Sequence, residues 1–156
     1  MTVREARRAD AEAALALWLA LHREHEARDA RYRLSDDAAA RWRTSFRDWT
    51  RSPTSRVWLA VDADDRPVGL LTAHLHEPAP TYRPMLMVHV DDLFVAPEAR
   101  GARLAARLLD AARDWGRAEG ATELRAGVLA ANAAGRAFWA RAGAEDFSVT
   151  VTVPLG

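Results

Sequence analysis

The sequence predicts a single α/β domain over residues 1–156, with a mixed, mostly antiparallel sheet flanked by helices. Stretches with apolar residues at helical spacing alternate with short apolar or period-two runs that are typical of strands. With 156 residues, 49% of them hydrophobic, the chain is long enough to bury one sizeable core, and no linker or repeat divides it. We therefore expect the element order β-α-α-β-β-β-α-β-α-β.

The first third predicts one strand and two helices. Thr2–Ala6 favours a short strand. Two stretches then repeat apolar residues at helical spacing; Asp10 is a suitable N-cap for the first helix and Ser35 for the second, and Pro53 ends the second. The apolar positions that define these helices are Ala13, Leu17, Ala20 and Leu21, followed by Trp42, Phe46 and Trp49.

The middle of the chain predicts three strands. Val57–Val61 and Val68–Leu75 are apolar runs on either side of the turn Asp62–Arg66, which is the pattern of a hairpin. A proline-spaced loop, Glu77–Pro84, then leads into a long strand over Met85–Val95.

The last third predicts two helices and two strands. Ala102–Glu119 places its apolar residues on one helical stripe, and a glycine follows it. Leu124–Val128 alternates as a strand, and Asn132 caps a short helix that stops at Gly143. Over residues 147–153 apolar side chains alternate with serine and threonine, which predicts a final half-buried strand.

Composition excludes several classes of function. The 22 basic residues balance 22 acidic ones, so we expect no nucleic-acid partner, which would need a one-sided basic field. The absence of cysteine excludes disulfides, thiolate nucleophiles and cysteine-bound zinc. No run approaches the ~20 apolar residues that span a bilayer, and the start does not resemble a secretory signal. We therefore expect no membrane association and a cytoplasmic protein.

The turn after the long strand predicts an anion site. The strand ends at Val95, and Arg100-Gly101 leads directly into the longest helix. A helix N-terminus presents unpaired N–H groups and roughly half a positive charge, which suits a phosphate or pyrophosphate. Gly101 would let the backbone approach a ligand, and Arg100 and Arg103 would add charge. An ordinary strand–turn–helix connection can show the same residues, so this signal needs support.

That support comes from three segments taken together. Leu93-Phe94-Val95, Arg100–Ala105 and Asn132–Gly143 resemble the motifs of the GNAT superfamily of N-acyltransferases. The family's strand ends in Leu-x-Val, its loop reads Arg/Gln-x-x-Gly-x-Gly/Ala, and its later segment reads Asn…Phe-Tyr-x-x-x-Gly-Phe. The predicted element order is also the order that such enzymes show.

The resemblance implies acetyl-CoA as co-substrate and a set of residues that bind it. The backbone of Leu93, Phe94 and Val95 would pair with the pantetheine arm and point an N–H at the thioester carbonyl. Asn132 would hydrogen-bond the arm, and Trp139 would lie near the sulfur. The pyrophosphate would be held by Arg100, Gly101, Ala102, Arg103, Leu104, Ala105 and Ala106.

The resemblance also implies an architecture. The strands ending at Val95 and Val128 would splay apart to admit the thioester. Members of the family often form homodimers through their C-terminal strands, so we expect a homodimer.

Three residues depart from the family pattern. Arg103 replaces the central glycine of the loop, Trp139 replaces the tyrosine that usually acts as general acid, and Ala144 replaces a phenylalanine. An indole N–H can donate a hydrogen bond but cannot supply a proton at neutral pH. A thiolate can leave unprotonated at a cost of roughly 2 kcal/mol at pH 7, so the reaction does not require the missing acid.

Asp91 is the candidate base for an amine acceptor. The run Asp91–Val95 resembles polyamine acetyltransferases, whose first position carries a glutamate facing the acceptor. Asp91 is one methylene shorter and would act through a water. His89 and Tyr32 are further candidates for the acceptor site. Because the strand end is acidic, we expect a small cationic amine as acceptor and direct transfer in a ternary complex.

Other interpretations remain open at this stage. His74, His76 and His89 could bind a metal if the strand register brought them together, but we expect no metal site, and a relay with Asp91 or a surface position is favoured. The substitutions at Arg103 and Trp139 leave a non-catalytic acyl-CoA-binding module as one rival. A protein N-terminal acetyltransferase is another.

Overall fold

In the computed structural model, which describes residues 1–156, a five-stranded sheet carries helices on both faces. The spatial order of the strands follows the chain, and neighbours are antiparallel except for the last pair, which is parallel. The strands are β1 (Thr2–Glu5), β2 (Ser55–Val61), β3 (Pro67–His76), β4 (Met87–Val95) and β5 (Glu123–Ala126). The predicted mixed, mostly antiparallel sheet is confirmed.

The four predicted helices form, with small differences at their starts. Ser35 does not cap α2; its hydroxyl hydrogen-bonds the carboxylate of Asp37, the residue that precedes the helix. None of the helices combines the length and apolar content that crossing a membrane requires. The helices are α1 (Ala11–Arg28), α2 (Ala38–Trp49), α3 (Leu104–Glu119) and α4 (Ala133–Arg141).

The sheet buries one apolar face under α1 and α2 and the other under α3. On the first face Leu15, Leu21 and Phe46 pack with alternate residues of the strands, among them Leu59 and Leu70. On the second face Leu104 and Leu108 of α3 pack on the intervening strand residues, which include Leu71, Val88 and Val90. The apolar residues at period-two spacing in the strands and at helical spacing in the helices therefore pack together in two core layers, one on each face of the sheet.

The strand β4 is paired on both sides for only part of its length. From Met87 to Val90 it lies between β3 and β5, and we call this stretch the closed half. Pairing with β5 ends at Val90–Ala126, whereas β4 continues to Val95 against β3 alone, so we call residues 91–95 the open half. The central strands splay as the resemblance implies, although β5 ends at Ala126 rather than at Val128.

A β-bulge marks the boundary between the halves. Thr72 of β3 pairs with Asp92 and the next residue, Ala73, pairs with Val90, so Asp91 is an extra residue on β4. Such a bulge lets two successive side chains lie on the same face of a sheet. Asp91 contacts His74 and Asp92 contacts Thr72, and these two partners lie two residues apart on one face of β3.

The predicted C-terminal strand is wrong for the isolated chain. Residues 144–156 form no strand or helix, and Phe147, Val149, Val151 and Val153 expose 71% to 83% of their surface. Period-two alternation shows that a segment has an apolar face, but a strand also needs a neighbouring edge. Within this chain the segment does not join the free edge at β5.

Candidate active site

The turn that enters α3 leaves the N-terminus of this helix uncapped. Gly101 has φ 92°, and Arg103, the residue before the helix, has φ 56° and ψ 23°. Arg103 therefore takes a left-handed conformation and not a right-handed helical one. The glycine that the resembling motif carries at this position would adopt it readily. No side chain caps the helix and no acidic residue lies in its first turn.

An uncapped first turn fits the predicted pyrophosphate site. The first N–H groups of a helix have no partner inside the helix, so those of Leu104, Ala105 and Ala106 are free to bind an anion. Gly101, Ala102 and Arg103 are exposed beside them. The side chain of Leu104 is buried in the core, so this residue offers only its backbone.

The guanidinium of Arg100 is directed away from this turn. Its Nε donates to the carbonyl oxygen of Val95 at 3.0 Å, and an Nη atom donates to a carboxylate oxygen of Glu24 at 2.6 Å. Arg100 thus ties the end of β4 to α1. Its side chain holds the loop against the helix pair, and an anion at the α3 terminus would meet Arg103 first.

In contrast to α3, α4 begins with a capped turn. The side-chain oxygen of Asn132 accepts a hydrogen bond from the N–H of Gly135 at 3.0 Å, which confirms the predicted cap. The amide nitrogen of Asn132 remains for any contact with a ligand. Trp139 on this helix is half-buried and packs against the core beneath α3, with Phe138 edge-on to it at 5.5 Å.

The open half of β4 offers its backbone on the side facing β5. The side chain of Phe94 is buried under α1 and α2, and those of Leu93 and Val95 pack on the opposite face. These anchors fix the strand, while its β5-facing edge lacks a neighbouring strand beyond Val90. An unpaired strand edge presents N–H and C=O groups to an extended ligand.

Asp91 lies at the centre of a hydrogen-bonded chain on the face that carries α1 and α2. One of its oxygens is 2.7 Å from Nε2 of His74, and the other is 3.0 Å from Nδ1 of His89. His74 continues the chain through Nδ1, which lies 2.7 Å from the hydroxyl of the buried Ser55. Trp49 packs edge-on against the His74 ring at 5.2 Å. Because β3 and β4 pair His74 directly with His89, both imidazoles reach one carboxylate.

The environment keeps Asp91 ionised. Burial raises the pKa of this carboxyl, but hydrogen bonds and charges from His74 and His89 outweigh burial and leave the pKa below its usual value. A lowered pKa means that the carboxylate stays charged to a lower pH and that it is a weaker base.

A second acidic cluster lies beside the first. The buried Asp92 accepts a hydrogen bond from the Thr72 hydroxyl at 2.6 Å, and Nε2 of His22 on α1 is 3.8 Å from its other oxygen. Burial, with smaller contributions from His22 and Arg28, lowers the pKa of His25. The Nδ1 atoms of His22 and His25 are buried without a hydrogen-bond partner.

Tyr32 continues a row of rings that starts on α1. The row runs from Trp18 to His22 at 4.3 Å, to His25 at 5.3 Å and to Tyr32 at 5.8 Å. Tyr32 exposes 43% of its surface, so the end of the row is open to solvent. The structure therefore brings the three predicted acceptor residues to the same face of the sheet, Tyr32 beside α1 and Asp91 with His89 on β4.

Sequence reasoning missed several of these groups. His22 and His25 follow Trp18 at helical spacing, and this pattern could have indicated one polar–aromatic stripe on α1. Ser55 and Thr72 gave no signal because only cross-strand register brings them to the histidine and the aspartate. His76 lies opposite Met87, outside the His74–His89 pair, and no group of three or more His, Cys, Asp or Glu side chains is arranged to hold a metal ion.

Comparison with solved structures supports this fold over its full length. A tetramutant of the BH1408 protein from Bacillus halodurans is 21% identical, with a TM-score of 0.87, and the match covers 99% of this chain and 100% of that one. Aminoglycoside N-acetyltransferase AAC(6')-Iy in complex with CoA is 19% identical, with a TM-score of 0.78, over 98% of this chain and 93% of that one.

A third structure, aminoglycoside 6'-N-acetyltransferase AAC(6')-IG from Acinetobacter haemolyticus, is 17% identical, with a TM-score of 0.77, over 100% and 99% of the two chains. At such identities these structures establish the fold and no more. No curated protein matches the sequence. The model of the acetyltransferase (GNAT) family, however, matches residues 17–144. That match spans strands β2 to β5, the α3 turn and the Asn132 helix, and the chain belongs to the GNAT acetyltransferase family.

Proposed function

We propose that this protein transfers the acetyl group of acetyl-CoA to the amine of a small cationic molecule, by direct attack within a ternary complex. The observation that carries the proposal is the open half of β4, which places an unpaired strand edge between the uncapped terminus of α3 and the Asp91 chain. One side of this cleft suits the cofactor and the other suits an ammonium ion.

The cofactor side uses groups that the fold leaves free, except for the Val95 carbonyl oxygen, which accepts a hydrogen bond from Arg100. The first-turn N–H groups of α3 bind the pyrophosphate, with Gly101 and Ala102 allowing close approach and Arg103 adding charge. The open edge at Leu93–Val95 pairs with the pantetheine arm, and the amide of Asn132 supports it. Trp139 lies near the sulfur and donates a hydrogen bond without giving up a proton.

The acceptor side favours a cation. Asp91 and Asp92 lie side by side on one face because of the bulge, and the ring row ending at Tyr32 adds aromatic surface. Asp91 draws the proton from the ammonium, through water or through one of its imidazole partners. The neutral amine then attacks the thioester carbonyl, an N–H near Leu93 stabilises the charge that develops on the oxygen, and a thiolate leaves.

The test is release of free thiol from acetyl-CoA against a panel of acceptors. The panel holds polyamines, amino acids, short peptides and aminoglycosides, the last because AAC(6')-Iy has been solved with a bisubstrate analogue, CoA-S-monomethyl-acetylneamine. Turnover with a small amine supports the proposal. Tight CoA binding without turnover would indicate the acyl-CoA-binding module, and turnover only with peptides would indicate a protein N-terminal acetyltransferase.

We also propose that the protein is a homodimer in which residues 147–153 form a strand against a second copy. The segment has an apolar face with no partner in its own chain, and β5 leaves a free sheet edge. The guanidinium of Arg125 on β5 lies 4.1 Å above the ring of Phe147, so the segment starts beside that edge. Light scattering should report a dimer, and replacing Val149 and Val151 with lysine should give a monomer; a monomeric parent protein contradicts this proposal.

A further inference from the structure

We propose that Nε2 of His89 is the atom that takes the proton from the acceptor amine, and that Asp91 is a positioning residue that acts through His89. The inference rests on the proposed acetyl transfer and assigns the base within it. It follows from which atoms of the Ser55–His74–Asp91–His89 chain are already occupied.

The ionised carboxylate of Asp91 decides the tautomers of both histidines. A carboxylate only accepts hydrogen bonds, so His74 Nε2 and His89 Nδ1 must each carry a proton where they face Asp91. A neutral imidazole has one protonated and one unprotonated nitrogen. The unprotonated atoms are therefore Nδ1 of His74 and Nε2 of His89.

Only one of these two atoms is free. Nδ1 of His74 is 2.7 Å from the hydroxyl of Ser55, which is 6% exposed and donates its proton to that nitrogen. His74 thus has both nitrogens occupied. Nε2 of His89 has no hydrogen-bond partner in the protein, and 42% of the His89 side chain is exposed. A ring held by a carboxylate at Nδ1 with Nε2 open is the arrangement of an oriented general base.

Asp91 is poorly placed to be the base itself. Both of its oxygens already accept from imidazoles, and its pKa is lowered by the same contacts that oppose the effect of burial. Proton transfer to His89 would instead create an imidazolium next to this carboxylate, which stabilises the new charge. The charged and titratable groups facing His89 are Asp91, His74 on β3 and Arg125 on β5, and Arg125 is paired with Glu123 at 3.0 Å.

Each acetyl transfer removes two protons from the acceptor nitrogen and adds one to the leaving thiolate. The ammonium gives one proton to Nε2 of His89, directly or through a bridging water. The free amine forms a C–N bond to the acetyl carbon as the C–S bond breaks, and the nitrogen loses its second proton to solvent. The leaving thiolate takes a proton from solvent, and His89 releases its own.

The experiment begins with the wild-type enzyme and an amine found active in the thiol-release panel. We then compare His89→Ala, His89→Gln and Asp91→Asn. The control is His76→Gln, because His76 is an exposed residue of β3 that takes no part in the Ser55–His74–Asp91–His89 hydrogen bonds. His89→Ala should lose about 10²–10⁴-fold in kcat, and added imidazole should restore part of it. Asp91→Asn should also lose activity but should not respond to imidazole. His76→Gln should match the wild type.

The pH profile of the wild type provides a readout that needs no variant. A histidine base predicts an acid limb of kcat in the range typical of imidazoles, whereas a carboxylate base predicts a limb at more acidic pH. His89→Gln should remove this limb. The proposal is overturned if His89→Ala stays within threefold of a wild type that turns over, or if the limb lies in the carboxylate range. A wild type that transfers acetyl to no amine removes the proposed function itself.

Discussion

The two halves of β4 show how one strand serves both the core and the site. In the closed half, Met87–Val90 is hydrogen-bonded on both sides, and all but His89 are buried. In the open half, Asp91–Val95 keeps one neighbour and begins with two carboxylates at a bulge. A single extra residue on β4, together with the short partner strand β5, is therefore enough to leave a strand edge unpaired inside the sheet.

The largest expected effect comes from deleting Asp91. The deletion lets Val90 and Asp92 follow each other in regular antiparallel register, with both side chains on their present faces. We expect the protein to fold with an unchanged or higher melting temperature, because a regular ladder replaces a bulge. Acetyl transfer should fall by about 10²–10⁴-fold, because His89 loses the carboxylate that orients it and the open half of β4 is displaced.

The control for this deletion is Asp91→Ala, which keeps the bulge and removes only the carboxylate. If the deletion variant unfolds while Asp91→Ala is stable, the bulge is part of what holds the sheet together. The bulge would then contribute to the stability of the sheet and not only to the site.

The next effect concerns packing under the closed half. A Cβ added at Gly116 of α3 would lie 2.5 Å from Cγ2 of Val88, and a valine in a strand has little freedom to move away. Gly116→Ala should therefore lower the free energy of unfolding by about 1–3 kcal/mol, despite the better helix propensity of alanine. In the Val88→Ala background the same change should cost less.

Gly127 supplies the matched control beside the open half. A Cβ there meets no atom within 4 Å, so Gly127→Ala should leave stability within about 0.5 kcal/mol of the wild type. Chemical denaturation of the wild type, Gly116→Ala, Val88→Ala, their double variant and Gly127→Ala measures both effects. Equal losses at Gly116 and Gly127 would show that the two halves are packed alike.

The smallest expected effects lie at Arg103, where the loop borders the open half. Arg103→Gly removes the strain of a left-handed non-glycine residue and should be neutral or stabilising by up to about 1 kcal/mol. Arg103→Ala keeps the strain and should leave stability almost unchanged. Both variants remove one exposed charge, which should weaken CoA binding by about 0.2–1 kcal/mol.

Calorimetric titration of CoA into the two variants separates charge from backbone. A lower affinity in both assigns the loss to the guanidinium. Recovery in Arg103→Gly alone shows that backbone conformation matters more, and unchanged affinity in both removes the Arg103 charge from the site.

The local sequence was sufficient to predict the four helices, the first five strands and the α3 turn. These features depend on near neighbours: helical and period-two spacing, the Asn132 cap, and the glycine that ends α3 in a left-handed turn. It also provided the motifs by which the family was recognised, because these lie within continuous segments. Features that depend on neighbouring residues can be predicted from the order of residues in one segment.

Strand register and long-range side-chain partners became visible only in the folded chain. The bulge that turns Asp91 and Asp92 to one face, the pairing of His74 with His89, and the link from Arg100 to Glu24 all join residues far apart in the chain. The same reason explains the error at residues 147–153, where an alternating segment does not pair with the free edge of β5 within its own chain. Hydrogen bonding between strands requires a neighbouring strand in the right position, and the alternation of apolar residues within one strand does not specify which strand that is.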